Sequence, residues 1–390
     1  MISWEEAGLV VVEALKKAGF EAYVVGGAVR DKWMGRPIRD VDVCTNASPQ
    51  DLKSIFPKTH DVGINHGTII IPIKGKGIEV SEYRTKAPLH EKSLEEDLSL
   101  RDFTCNAMAM NRDGTIVDPF NGKDSIDKKV LKTVGNTQET FFNDPLRLLR
   151  AIRFSIQLDF ILEDEVTKFI EGNADIIQQP AIERIAGELD KIATTRLTPK
   201  SLSFLITNKV IRSLGDIFSN KENILSSLEK NDTFFIQGIL EFWSLAAYSQ
   251  DLQKSMGVLR RYKRSKKIEN RVIKIIEAIN KGLHEEMKDY DLYLLGDECL
   301  DVTEKLILFF NKEAFGSTKT YLNRYNSLPI KNKRELAIDG NMLKKKFPDM
   351  SGIWIGQTLE LIEKSVINRD MENDEVIILE WVKMREQTKK

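Results

Sequence analysis

Tyr23-Val24-Val25-Gly26-Gly27-Ala28-Val29-Arg30-Asp31 is the stretch on which the reading of this chain turns. Residues 22–25 form a short apolar run of strand type, Gly26-Gly27 makes a turn, and the stretch through Arg30-Asp31-Lys32-Trp33 is helical in character. The order is strand, glycine turn, helix. A glycine pair there lets backbone N–H groups approach an anion, and the N-terminus of the following helix adds a favourable dipole. Arg30, one turn into the helix, could add a bidentate grip. A triphosphate suits these features. A tight turn whose Arg30 pairs with Asp31 or Asp40 suits them too.

Working outward, Asp40 and Asp42 alternate with Val41 and Val43, which predicts both carboxylates on one face of a strand, about 7 Å apart. Paired carboxylates suit hard cations such as Mg²⁺ that also bind nucleotide phosphates. Two such ions would activate an attacking hydroxyl and neutralise a departing pyrophosphate. An isolated pair of this kind is commonly just an exposed strand edge, but its closeness to the glycine turn favours phosphoryl transfer. Arg101-Asp102 is the third polar element of the constellation.

The rest of the first 120 or so residues mixes strand and helix signals. Ser48-Pro49 opens a helix, with serine as N-cap and proline in the first turn. Residues 68–73 and 77–83 flank Lys74-Gly75-Lys76 as a hairpin, and 107–110 and 115–117 do so around Arg112-Asp113-Gly114. Ser93-Leu94-Glu95-Glu96 reads as a capping box. From Phe142 onward the apolar spacing is helical throughout. The fold class expected is α+β, a mixed sheet with helices followed by an all-helical remainder.

Composition sets limits. With 390 residues and 42% hydrophobic content the chain can bury a large core, and a net charge of -1 means that an acidic partner must be met by local clusters. The run Arg260, Arg261, Tyr262, Lys263, Arg264, Ser265, Lys266, Lys267 is such a cluster, suited to tracking phosphates or to forming a solvated helix face. Cys44, Cys105 and Cys299 are odd in number and scattered, which argues against disulfides or zinc. The histidines (His60, His66, His90, His284) lack metal-binding spacing. Acidic residues at the start and no apolar run near the roughly 20 residues of a membrane span predict a cytoplasmic protein without membrane contact.

The ordered motifs resemble class II tRNA nucleotidyltransferases and bacterial poly(A) polymerases. Residues 23–31 look like the family's GGxVRD signature and Arg39-Asp40-Val41-Asp42 like its metal-binding DxD. Leu100-Arg101-Asp102-Phe103-Thr104-Cys105-Asn106-Ala107-Met108 is similar to RRDFTxNAM, Asp118-Pro119-Phe120-Asn121-Gly122 to DPxxG, residues 143–154 to EDxxRxxRAxRF, and Glu183-Arg184-Ile185 with Glu188-Leu189 to ERIxxEL. The resemblance implies a polymerase-β-like catalytic head (1–140), a helical neck with a base-reading helix (141–205), a helical body (206–335) and a tRNA-binding helical tail (336–390).

It also implies roles. Asp40 and Asp42 would be catalytic and hold Mg²⁺, Gly27, Arg30 and Arg101 would bind the nucleotide's sugar and phosphates, and Asp144 and Arg147 would read the base of CTP or ATP. On a helix, steps of three turn by about 60°, so Asp144, Arg147 and Arg150 would share one arc, with Arg153 opposite in a phosphate-binding or structural role. Glu79 is a further candidate for the metal shell. Arg260, Arg261, Lys263, Arg264, Lys266, Lys267 and Lys344-Lys345-Lys346 become candidate tRNA contacts.

Some positions depart from the family. Leu100 replaces an arginine, removing a positive charge near the nucleotide, and Asn143 replaces a glutamate that would orient Arg147 by charge. Between Tyr83-Arg84-Thr85 and Ser93 only residues 86–92 intervene, fewer than in CCA-adding relatives, whose flexible loop switches the pocket from CTP to ATP. The expectation is therefore an enzyme that adds CC and leaves the terminal A to a separate A-adding enzyme. The alternatives are a complete CCA-adding enzyme, a poly(A) polymerase, which usually carries a longer basic C-terminal extension, and an inactive RNA-binding protein of the same fold. With only His284 in the C-terminal half, no HD phosphohydrolase domain is expected.

Overall fold

The computed structural model describes residues 2–63, 68–85, 92–311 and 321–387. Two compact units emerge: Met1–Ile192 with Asn208–Leu214, and Ala193–Thr207 with Gly215–Lys390.

The first unit opens with α1 (Trp4–Lys17), started by a reciprocal capping box between Ser3 and Glu6. It then runs β1 (Ala22–Val25), α2 (Gly27–Trp33), β2 (Asp42–Thr45), α3 (Pro49–Ile55), β3 (His60–Gly63), β4 (Thr68–Ile73) and β5 (Lys76–Glu82). Next come α4 (Leu94–Ser99), β6 (Ala109–Met110), β7 (Ile116–Val117), α5 (Gly122–Asp127) and β8 (Val130–Leu131). The unit continues with α6 (Thr137–Asn143), α7 (Arg147–Leu158), β9 (Ile161–Leu162), α8 (Asp164–Asn173) and α9 (Ile182–Ala193).

Seven strands form one sheet in the order β3-β4-β5-β2-β1-β6-β7. Every neighbouring pair is antiparallel except β2 and β5, where Asp42 stands opposite Glu79 in a parallel ladder. The two expected hairpins are present. Lys74 and Gly75, both at positive φ, supply the tight turn between β4 and β5 that the right-handed strand twist favours. Ser48 caps α3 by accepting from the Asp51 N–H, and Ser93 caps α4 by accepting from the Glu96 N–H. Under the middle of the sheet Val25, Cys44, Tyr83, Leu98 and Ala109 pack into one buried cluster, which seats α4 against β1, β2 and β6.

Three expectations need correction. The strand expected to carry both aspartates begins only at Asp42, so Asp40 lies just before it, although exposure still alternates from Asp40 through Val43. Asp144 is not on the helix expected to read the base: α6 stops before it, α7 starts at Arg147, and Asp144 has extended backbone (φ -146, ψ 93). Pro145 explains this, because its ring disfavours helical backbone in the preceding residue. Finally, the region after residue 142 is not wholly helical, since β9 pairs in parallel with β8.

Gly122 shows why one motif needs glycine. A Cβ there would lie 2.4 Å from the Thr104 carbonyl oxygen and 2.8 Å from Met108 Cγ, neither able to retreat freely. Gly122→Ala is therefore expected to destabilise the protein by about 1–3 kcal/mol, read as a lower midpoint in denaturant unfolding. An unchanged midpoint would contradict this packing.

The second unit is helical, apart from a bridge joining Leu197 to Ile236. Its longest helix among the described residues, Lys266–Gly282, packs against Ile239–Ala246, Leu252–Arg261 and Asp297–Phe310. Trp243, Phe242 and Tyr262 are fully buried at its centre. No described helix is long and apolar enough to cross a membrane.

Candidate active site

β1 ends directly at Gly26, whose φ of 70° and ψ of -131° suit glycine, and α2 starts at Gly27. The Gly26 N–H is held by the Met108 carbonyl (3.2 Å), so the turn is fixed from the neighbouring strand region. Asp42 pairs with Val25 on the adjacent strand, which sets the carboxylate beside the residue that leads into this turn.

Arg101 completes the group. Its Nη1 lies 3.1 Å from where a Cβ on Gly26 would sit, so the guanidinium covers the turn. Its other edge faces Asp97, whose Oδ2 accepts from Nη2 (2.9 Å) and Nε (3.1 Å).

Asp42 is exposed in area yet closely surrounded by protein. That partial loss of solvent, then the charges of Glu79 and Asp40, raise its pKa to about 6 against the opposing pull of Arg101 and Arg84. A Mg²⁺ ion would offset the repulsion among these carboxylates. No group of three or more His, Cys, Asp or Glu among the described residues could hold a metal, so Glu79 does not complete a protein-only cage. Two aspartates fit Mg²⁺ well, because this ion commonly takes one or two carboxylates and fills its remaining positions with substrate phosphates and water. A proton on Asp42 competes with the ion. Mg²⁺ binding is therefore expected to weaken as pH falls through about 6, and titrating Mg²⁺ on either side of that pH checks it. Equal affinity at both would remove Asp42 from the metal shell.

The other predicted residues divide. Arg147 Nη2 donates to the Leu100 carbonyl (2.7 Å), and Nη1 lies 3.5 Å from the Arg101 carbonyl. Main-chain oxygens thus orient Arg147, the task that the family's glutamate would perform by charge from the position of Asn143, which is exposed at the end of α6. Asp144 accepts from Arg184 Nη2 (3.3 Å), and its Oδ1 accepts from the Leu146 N–H, capping the start of α7.

Arg30 is 5% exposed and donates to Asp31 (2.8 Å) and Asn106 (2.7 Å). Of its two readings, pairing with Asp31 is the one its contacts describe. Asn106 Nδ2 in turn donates to Asp102 (3.2 Å), which accepts from Arg150 Nε (2.7 Å). Arg150 approaches Glu188 (3.8 Å), and Glu188 accepts from Arg153 Nε (2.9 Å). Arg30, Arg150 and Arg153 all stand against the Phe154 ring, with Arg153 at 4.1 Å. For Arg153, the structural role is the one these contacts describe. The network joins α2, α7 and α9 behind the glycine turn. Asp102 and Glu188 both lie within motifs of the sequence, but no local spacing announces their pairing with Arg150 and Arg153.

The basic run is not a single helix face. It spans the end of Leu252–Arg261, a turn with Lys263 at positive φ, and the start of Lys266–Gly282. Arg260 and Lys266 pair with Glu269, Arg261 with Asp216, and Arg264 stacks on Trp243. Lys344, Lys345 and Lys346 are exposed in the last turn of Gly340–Lys346.

Family models and relatives place the chain as a whole. Residues 22–132 match the poly(A) polymerase head domain, and residues 236–382 match a tRNA nucleotidyltransferase domain 2. A CCA-adding enzyme of Bacillus cytotoxicus is 34% identical over 98% of both chains. This chain belongs to the CCA-adding enzyme family. Its relative in Geobacillus stearothermophilus, also named a CCA-adding enzyme, is 33% identical over 98% of each chain. The crystal structure of the Bacillus stearothermophilus CCA-adding enzyme in complex with CTP superposes with a TM-score of 0.81 at 32% identity, covering 100% of this chain and 99% of that one. A Thermotoga maritima CCA-adding enzyme complexed with tRNA shares the fold, with a TM-score of 0.63 at 23% identity, covering 96% of this chain and 94% of that one. Membership makes the chain a nucleotidyltransferase with a mixed-sheet head and a largely helical remainder.

Proposed function

We propose that this enzyme adds cytidines to the 3′ end of tRNA from CTP without a nucleic-acid template, and that it stops after CC. The observation that carries the reaction is the meeting of Asp42, the Gly26-Gly27 turn and the overlying Arg101 at the end of β1. Mg²⁺ held by Asp40 and Asp42 would supply charge neutralisation for the triphosphate and acidify the attacking hydroxyl. The chain's own groups do the rest. The Gly27 and Ala28 N–H groups at the start of α2 and the Arg101 guanidinium bind phosphate and sugar. Asp144 and Arg147 present an acceptor and a donor to the base, and their backbone tethers keep that pattern fixed. Exposed lysines and arginines of 260–267 and 344–346 are the surface offered to tRNA phosphates.

Restriction to CC rests on the short stretch 86–92, of which 86–91 lie outside the described residues. The names of the relatives favour the second reading, complete CCA addition. A tRNA transcript lacking CCA, incubated with CTP, ATP or both and resolved to single nucleotides, separates them. Two added nucleotides with CTP and no more with ATP are expected. A third that requires ATP would establish CCA addition, ATP-only tails would indicate a poly(A) polymerase, and no extension at all would leave the inactive RNA-binding protein.

A further inference from the structure

We propose that Asp97 is a positioning residue for nucleotide binding, aiming the free edge of Arg101 at the triphosphate; this rests on the nucleotide-addition reading above. Asp97 sits on α4 with a side chain only 1% exposed. A carboxylate so deeply placed is costly unless fully paired. Its two oxygens are divided between two tasks. Oδ2 accepts from both Nε and Nη2 of Arg101, while Oδ1 accepts from the Arg84 N–H (3.2 Å), with Arg84 Nε 3.9 Å away.

Because Asp97 takes one edge of the guanidinium, the remaining nitrogen, Nη1, is turned toward Gly26 and has no hydrogen-bond partner among the described residues. The planar fork of arginine makes this division possible, since a fixed edge on one side fixes the direction of the donors on the other. α4 itself is anchored, Leu98 packing beneath the sheet with Val25 and Cys44. Asp97 therefore refers the position of Arg101 to the strands that carry Asp42 and the glycine turn. Its hold on the Arg84 N–H also ties down the chain where it leaves β5.

The test is a double-mutant cycle on CTP binding with Mg²⁺, followed by calorimetry, with unfolding midpoints and steady-state constants for each variant. D97N is expected to raise the Kd for CTP about tenfold in the wild-type background and less than about twofold in R101A, with the effect falling on KM more than on kcat. D97E keeps the charge but displaces the guanidinium by a methylene, and is expected to weaken CTP severalfold while folding normally. This second variant serves if D97N fails to fold. Equal penalties in both backgrounds, or unchanged CTP affinity in a folded D97N or D97E, overturns the proposal. If the wild type itself binds no CTP, the parent reading falls and takes this one with it.

Discussion

Asp42→Asn is expected to reduce nucleotide addition by about a thousandfold or more, the scale on which single charge-handling groups act in phosphoryl transfer. The same change should leave the protein at least as stable at neutral pH. Loss of solvent, then the charges of Glu79 and Asp40, raise the folded-state pKa of Asp42 to about 6, so at neutral pH its ionised carboxylate is less favourable in the folded protein than in the unfolded chain. Asparagine removes that repulsion from Glu79 and Asp40. Measuring extension of a tRNA transcript beside thermal unfolding gives the check. Activity within tenfold of wild type would sink the metal assignment, and a large fall in stability would show that the carboxylate is held by contacts the structure lacks.

Asp102→Ala should do the reverse and act first on stability. Asp102 is buried and accepts from Arg150, Asn106 and the Phe103 N–H, so its loss leaves Arg150 with only its longer approach to Glu188 and takes the acceptor from the Asn106 amide and the Phe103 N–H. Leaving donors short of an acceptor in this way costs about 1–3 kcal/mol. The expected readout is a marked drop in the denaturant midpoint; a drop below about 1 kcal/mol would mean that water or a rearranged Arg150 replaces the carboxylate. The pH dependence follows the same groups. For both Asp102 and Glu188 burial alone would raise the pKa, but the adjoining guanidiniums of Arg150 and Arg153 reverse this and hold both carboxyls below their ordinary values. A lowered carboxyl contributes stability that is present above its unfolded pKa and is lost as pH falls through the folded one. Stability from this network should therefore disappear in acid below the usual carboxylate range, and in Asp102→Ala that acid loss should be smaller.

The hairpins, the helix starts at Ser48 and Ser93 and the strand-turn-helix at Gly26 were legible because each depends on neighbours in sequence. Alternation, capping and glycine backbone freedom are local properties. The strand Ile161–Leu162 was missed because two residues carry no alternation to detect, and its partner lies before two helices. Asp144 reads two ways, as a helical position three residues before Arg147 or as an N-cap ahead of the first-turn Pro145, and its extended backbone and acceptance from the Leu146 N–H follow the second. The arginines were the hardest to read. Arg150 is 48 residues from Asp102, and Arg153 is 35 from Glu188, so no spacing rule connects them. Side chains that resemble ligand contacts in a motif can be occupied elsewhere, as Arg30 and Arg153 are.

The grip on Arg147 has a consequence for sequence change. Its partners at positions 100 and 101 are carbonyl oxygens, which every amino acid supplies alike. Leu100 can therefore stand in place of arginine without disturbing how Arg147 is held, and that position is free to drift under whatever selection acts on its side chain. A guanidinium fastened to main chain keeps its aim through mutations that would disarm one fastened to a neighbouring side chain.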